Sequence, residues 1–326
     1  MSLSPQSPYR IGLALGSGGA RGWAHLGVLQ RLNEMGIRVH CVAGTSIGSI
    51  VAALYASDSL ETMRDLATHL DWKRVAQLFL EVNFQRSGLL SGKNFMHLLK
   101  DVIPVHTVSG LSVPFAAVAT DLLTEKQVVL DSGNLFDAIR ASIAIPGIFT
   151  PMRLQGRNLV DGGLVNPLPV SVCRAMGADF VIAVDINLRA APHKRKPARN
   201  TPSLPKQSER VERLVDQVSK LMPKLQTPMK EAVNRWYAPQ KNEAAPLSIF
   251  DVLTRSFRLI ENQITRSELT LNPPDILIQP AVGDIMTLEF QRGPEAIAAG
   301  REAIDEVLPQ LTRLLTPTPD FTRHVQ

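Results

Sequence analysis

The segment CVAGTSIGSIVAALYA, residues 41–56, sets Ser46 between Gly44 and Gly48, with an apolar run before it and an apolar, small-residue run after it. Residues 37–44, IRVHCVAG, read as a strand and residues 46–57, SIGSIVAALYAS, as a helix. Glycines flanking a serine in a strand-to-helix turn permit a cramped bend that pushes the hydroxyl out above a sheet. Gly-x-Ser-x-Gly alone is weak evidence, and its force here comes from that order. The plainer alternative is a glycine-lined turn, Gly44, Thr45 and Gly48 included, with an ordinary capping serine. A helix starting at this point would also favour an anion developing beside the hydroxyl.

The same pattern lies on either side. IGLAL (11–15), GSGGARG (16–22) and WAHLGVLQRLNEMG (23–36) read as strand, loop and helix. Further strands are predicted at PFAAVAT (114–120), FVIAVDI (180–186) and ILIQPAV (276–282), with helices at LFDAIRASIA (135–144) and PVSVCRAMG (169–177). Alternating strands and helices predict an α/β fold of three layers, α/β/α, with a mainly parallel central sheet covered on both faces. The expected organisation is a tail over 1–10, a core over 11–187, a basic Pro-rich excursion over 188–246, helices and a strand over 247–316 completing the domain, and a tail over 317–326.

Charge locates the excursion. Residues 193–241 carry 12 Lys/Arg against 4 acids, while the other 23 basic residues face 26 acids, so the chain's net charge of +5 belongs to one segment. Val211, Leu214, Val215, Val218, Leu221, Met222 and Leu225 recur there at helical spacing. One reading is a basic amphipathic surface in peripheral contact with anionic membrane. The other is a solvated loop with one helix packed on the body, toward which Pro223 and the acids Glu209, Glu212 and Asp216 weigh. Nucleic acid is not an expected partner, because the segment's aromatics are only Trp236 and Tyr237 and no recognition module surrounds them.

The 44% hydrophobic content fills a sizeable core. Cys41 and Cys173 show neither metal-ligand spacing nor a disulfide framework. With no signal-peptide pattern and no spanning run, a reducing, cytoplasmic setting is the simpler expectation, with the inner membrane surface as the place of any peripheral contact.

A nucleophilic serine needs donors for an oxyanion and a group to take its proton. The loop Gly16, Ser17, Gly18, Gly19, Ala20, Arg21, Gly22 offers exposed amides at a strand end and helix start. It is not a nucleotide fingerprint: Arg21 stands where Gly-x-Gly-x-x-Gly requires glycine, and Gly-Lys-Ser/Thr is absent. Seven histidines compete for the role of base. His25, His40, His69, His97 and His106 precede the later acids, His193 sits in PHKRKP and His324 near the C-terminus, so the α/β-hydrolase order is disfavoured. A carboxylate acting directly as base is the economical answer. Asp121, Asp161 and Asp185 each follow an apolar strand, where open sheets place their sites. Asp161 alone precedes two glycines, Gly162 and Gly163, although VDGGLV also reads as a hairpin turn.

Four blocks in this order, GSGGARG (16–22), GTSIG (44–48), ASIAIPGIF (141–149) and DGGLVNPLP (161–169), resemble the patatin-like phospholipase family, in particular bacterial members related to the catalytic domain of neuropathy target esterase. The resemblance implies a serine–aspartate dyad, with Ser46 as nucleophile, Asp161 as proton acceptor and the loop around Gly18 and Gly19 as oxyanion hole. It further implies hydrolysis of lysophospholipid, phospholipid or simpler carboxyl esters, with neither metal nor other cofactor. Ser17 departs from a pattern that often has glycine there, and serine tolerates positive φ less well. Arg21 matches the family's basic position, to brace the loop or to meet anionic substrate, and ASIAIPGIF reads as structural or pocket-forming. Two rival functions are a regulatory or membrane-interaction protein on the same fold and an acyl transferase; the latter would want a histidine partner.

Overall fold

The computed structural model describes residues 9–69, 90–187 and 249–315. The chain divides into two units, Met1–Ala191 with Phe257–Gln326, and Pro192–Ser256. The side chains described below belong to the first, to which residues 257–271 of the helix Ile249–Leu271 contribute. The basic segment 193–241 lies outside the described residues.

Strands β1 (Ile11–Leu15), β2 (Cys41–Thr45) and β3 (Phe115–Asp121) form the middle of an eight-stranded sheet, with β4 (Lys126–Leu130), β5 (Met152–Leu154), β6 (Arg157–Asp161), β7 (Phe180–Val184) and β8 (Ile276–Ile278). β3, β2, β1, β7 and β8 run parallel in that order, while β4 and β6 pair antiparallel with β3, and β5 with β6. The sheet is mostly parallel, as predicted. Strand β2 is shorter than the apolar run suggests. Residues 37–40 stay outside it because Ile37 N–H bonds back to the Leu32 carbonyl, and His40 Nδ1 accepts from Ile11 N–H at the start of β1.

Registers on β3 decide where the site forms. β4 pairs with Ala117–Asp121, overlapping both β2, which reaches Val118, and β6, which begins at Ala119. A strand has two edges, so β4 takes one and β2 and β6 lie end to end along the other. The C-terminal ends of β2 and β6 therefore meet head-on.

Side chains alternate between the two faces. Ile11, Leu13, Leu15, Val42, Ile182 and Val184 enter one core, covered by α1 (Trp23–Glu34), α2 (Ile47–Ala56), α3 (Leu60–His69), α4 (Lys93–Val102), α5 (Leu135–Ser142) and α8 (Gly293–Leu315). Ala14, Cys41, Ala43, Ala116, Val181 and Ala183 face a smaller core under α6 (Val170–Ala175), joined by Leu269 of α7 (Ile249–Leu271). Small side chains on this second face let α6 lie close to the sheet. Helices on both faces complete the three layers expected from the sequence.

Candidate active site

Ser46 sits between β2 and α2 with φ 55° and ψ −124°, a backbone conformation that costs a non-glycine residue about 1–3 kcal/mol. The surroundings enforce it. Ser46 N–H donates to Ser142 Oγ at 2.9 Å, and Ser142 Oγ–H donates to the Val118 carbonyl at 2.6 Å. Ser49 Oγ and Ser49 N–H both donate to the Ser46 carbonyl. Thr45 Oγ1 donates to the Asn166 carbonyl at 2.7 Å, pinning the last strand residue before the bend. Gly48 must be glycine because a Cβ there would strike the Leu15 carbonyl.

Asp161 ends β6. Its Oδ2 accepts from Ser46 Oγ–H at 2.6 Å, and its Oδ1 accepts from Gly163 N–H at 2.8 Å. Its backbone is held by Asp161 N–H to the Ala144 carbonyl, and by Thr120 Oγ1 to its own carbonyl at 2.8 Å. After it the chain makes a 3₁₀ turn over Gly162–Leu164 and continues to α6, so the DGG segment is not a hairpin. Ser46 is 4% exposed and Asp161 0%. This dryness pushes the Asp161 carboxyl up to about 7, against the hydrogen bonds from Ser46 and Gly163 that stabilise its charge. A carboxylate titrating near neutrality is suited to taking and returning a proton.

The other aspartates are engaged elsewhere. Asp121 Oδ1 accepts from Leu123 N–H in the turn toward β4, and Asp185 accepts from Asn187 N–H and Gln279 Nε2. The described histidines also have other places: His40 at the start of β1, His106 edge-on to Phe136, His97 exposed on α4. His25 is fully buried, and burial pushes it down to about 4, so the neutral ring donates from Nε2 to the Gly16 carbonyl at 2.8 Å. It supports the glycine loop. The side chains of His69, His193 and His324 lie outside the described residues.

In that loop the amides of Gly16, Ser17 and Ala20 are bonded to carbonyls outside it, of Val184, Pro167 and Thr287 in turn. Those of Gly18 and Gly19, at the start of the 3₁₀ turn Gly19–Gly22, have no backbone acceptor among the described residues. Ser17 does not adopt positive φ, so serine is accommodated there without strain. Arg21 is buried, and its guanidinium donates to Asn187 Oδ1 at 2.7 Å and the Ile285 carbonyl at 3.0 Å, which makes it a brace of the loop. Sequence reasoning missed Ser142, Asn187 and Glu261. Only Ser142 had a signal, its place in ASIAIPGIF.

The open α/β sheet thus bears a serine on a strained strand-to-helix bend, hydrogen-bonded to a buried carboxyl. The patatin-like phospholipase family model matches residues 13–174, which include both Ser46 and Asp161. An uncharacterized NTE family protein of Mycobacterium tuberculosis is 32% identical over 334 residues, covering 92% of this chain and 91% of its own. Human patatin-like phospholipase domain-containing protein 6 is 35% identical over 182 residues, covering 54% of this chain and 13% of its own. Among solved structures, VipD from Legionella pneumophila aligns with a TM-score of 0.46 at 15% identity, covering 94% of this chain and 67% of that one. The chain belongs to the NTE family of patatin-like phospholipases, and that membership implies lipid acyl hydrolysis. Among the described residues, no helix is long and apolar enough to cross a membrane.

Proposed function

We propose that the chain hydrolyses fatty-acyl esters of lysophospholipid, phospholipid or simple carboxyl-ester type, with Ser46 as nucleophile and Asp161 as its base. Asp161 takes the Ser46 proton as Oγ bonds to the ester carbonyl carbon. The carbonyl π electrons move onto oxygen, and the amides of Gly18 and Gly19 receive the anion, aided by the N-terminus of α2. Collapse expels the alcohol, which takes the proton from Asp161 and leaves an acyl-Ser46 ester. Water then attacks that ester, giving its proton to Asp161, and the fatty acid departs as Ser46 recovers a proton from the same carboxyl.

The observation that carries this reading is the 2.6 Å hydrogen bond from Ser46 Oγ to Asp161 Oδ2. The test is release of fatty acid or p-nitrophenol from a panel of acyl esters and lysophospholipids by the native protein, Ser46→Ala and Asp161→Asn. Ser46→Ala is expected to abolish release. Asp161→Asn is expected to lower kcat by roughly 10²- to 10⁴-fold, the usual contribution of a positioned base. A folded Ser46→Ala protein with full activity would remove Ser46 from the mechanism.

A further inference from the structure

A second carboxyl reaches the same turn. A Cβ on Gly163 would overlap Glu261 Oε1 and stand 3.1 Å from Asp161 Oδ1, so carboxyl groups from α7 and β6 converge on one point. Glu261 is 5% exposed. Ser17 Oγ–H donates to Glu261 Oε1 at 2.5 Å, and Asn187 Nδ2 donates to Ser17 Oγ at 3.2 Å and to Glu261 Oε2 at 3.4 Å. Arg21, in turn, holds Asn187 Oδ1. One side chain from a distant helix thus touches both the glycine loop and the turn that carries Asp161.

We infer that Glu261 is a positioning residue for acyl transfer: its carboxyl clamps the glycine loop, through Ser17 and Asn187, against the Asp161–Gly163 turn. The inference rests on the Ser46–Asp161 reading above and deepens it. The charged groups facing Glu261 are Asp161 from β6, Arg21 from the glycine loop and Arg258 from α7 itself, with Asp185 acting on Arg21 from the end of β7. Burial and then the Asp161 charge push Glu261 up to about 8, outweighing the bond from Ser17 and the two arginines. A charged Glu261 would set a second anion beside Asp161, close to the loop where the oxyanion develops, and would oppose it. Protonated on Oε2, the carboxyl still accepts from Ser17 at Oε1 and lacks that repulsion. Residue 163 must be glycine so that the carboxyl can approach.

The test compares native protein, Glu261→Gln and Glu261→Ala on p-nitrophenyl butyrate from pH 5 to 10, with thermal unfolding followed over the same range. Native kcat is expected to fall on the alkaline side of about pH 8. Glu261→Gln, which keeps hydrogen bonding but cannot ionise, should lose that limb while its neutral-pH kcat drops about threefold. Glu261→Ala should lose about thirtyfold in kcat with little change in KM, an effect of the order expected from a buried hydrogen-bonding group removed. An alkaline limb surviving in Glu261→Gln, or Glu261→Ala matching it in kcat, overturns the inference. If Glu261→Ala does not fold, Glu261→Gln decides. Ser46→Ala is run alongside: hydrolysis surviving it defeats the dyad reading, and unfolding alone then decides the clamp. A carboxyl titrating higher in the fold than in the unfolded chain makes native stability decline between about pH 4.5 and 8 relative to Glu261→Gln. Parallel unfolding curves overturn the clamp.

Discussion

Thr45 and Asp161 occupy consecutive rungs on one edge of β3, Thr45 opposite Val118 and Asp161 opposite Ala119. The residue after Thr45 is Ser46, and its hydroxyl reaches the Asp161 carboxyl because an antiparallel strand abuts a parallel one end to end. Three strands, none of them carrying a metal-ligand cluster among the described residues, fix the pair without a mobile intermediary.

The raised titration of Asp161 has a stability signature. Its carboxyl titrates at about 7 in the fold against 3.8 as an ordinary aspartate, so the folded protein holds this proton more tightly than the unfolded chain. The contribution is fully present below about pH 4 and is lost as pH rises through 7. Urea midpoints of native protein are expected to fall between pH 4 and 7 relative to those of Asp161→Asn, which does not titrate there. Midpoints that run parallel would contradict the buried, dry environment assigned to Asp161.

Ser142 links the elbow to the central strand by accepting from Ser46 N–H and donating to the Val118 carbonyl. Ser142→Ala removes the acceptor of the buried Ser46 N–H and the donor to the Val118 carbonyl. The expected loss is about 1–3 kcal/mol in unfolding free energy. On the proposed mechanism a fall of about tenfold in kcat/KM should accompany it, because displacing the nucleophile costs rate steeply. Denaturant unfolding and ester hydrolysis on the same preparation check both.

Arg21 predicts the reverse balance between stability and substrate. Its guanidinium satisfies Asn187 Oδ1 and the Ile285 carbonyl inside the protein, and burial pushes it down to about 10 without removing its charge at neutral pH. Arg21→Met should cost about 2–4 kcal/mol through the two abandoned acceptors. The native-to-variant ratio of KM should be the same for neutral esters and anionic lysophospholipids. A KM increase confined to anionic substrates would mean that Arg21 meets the headgroup instead.

The five parallel strands, six of the helices and the glycine-flanked serine were legible because each is local: apolar runs of strand length, helical spacing, and glycines where a bend needs them; the antiparallel strands β4, β5 and β6 and the helices α3 and α4 were not predicted. The choice among Asp121, Asp161 and Asp185 was not, since all three follow apolar strands. The two glycines after Asp161 and the family resemblance pointed to it, but what brings it to Ser46 is pairing register on β3, and register depends on which strands share an edge. Glu261 was hidden more deeply. It sits in a helix with exposed Leu259 and Ile260 beside it, and its partner Ser17 is 244 residues away. The proline-rich stretch that the sequence marked as basic lies outside the described residues.

The hydroxyl of Ser46 and the carboxyl of Asp161 come from positions 115 residues apart, and Ser17 waits for a partner 244 residues downstream. During synthesis the elbow therefore leaves the ribosome long before Asp161, its proposed proton acceptor, and the glycine loop long before Glu261. A growing chain carries a serine that is chemically ordinary. On the proposed mechanism the dyad is complete only once the chain has reached about its midpoint, and the Glu261 clamp only in its last third, so contacts of such long sequence separation couple the site to closure of the whole body.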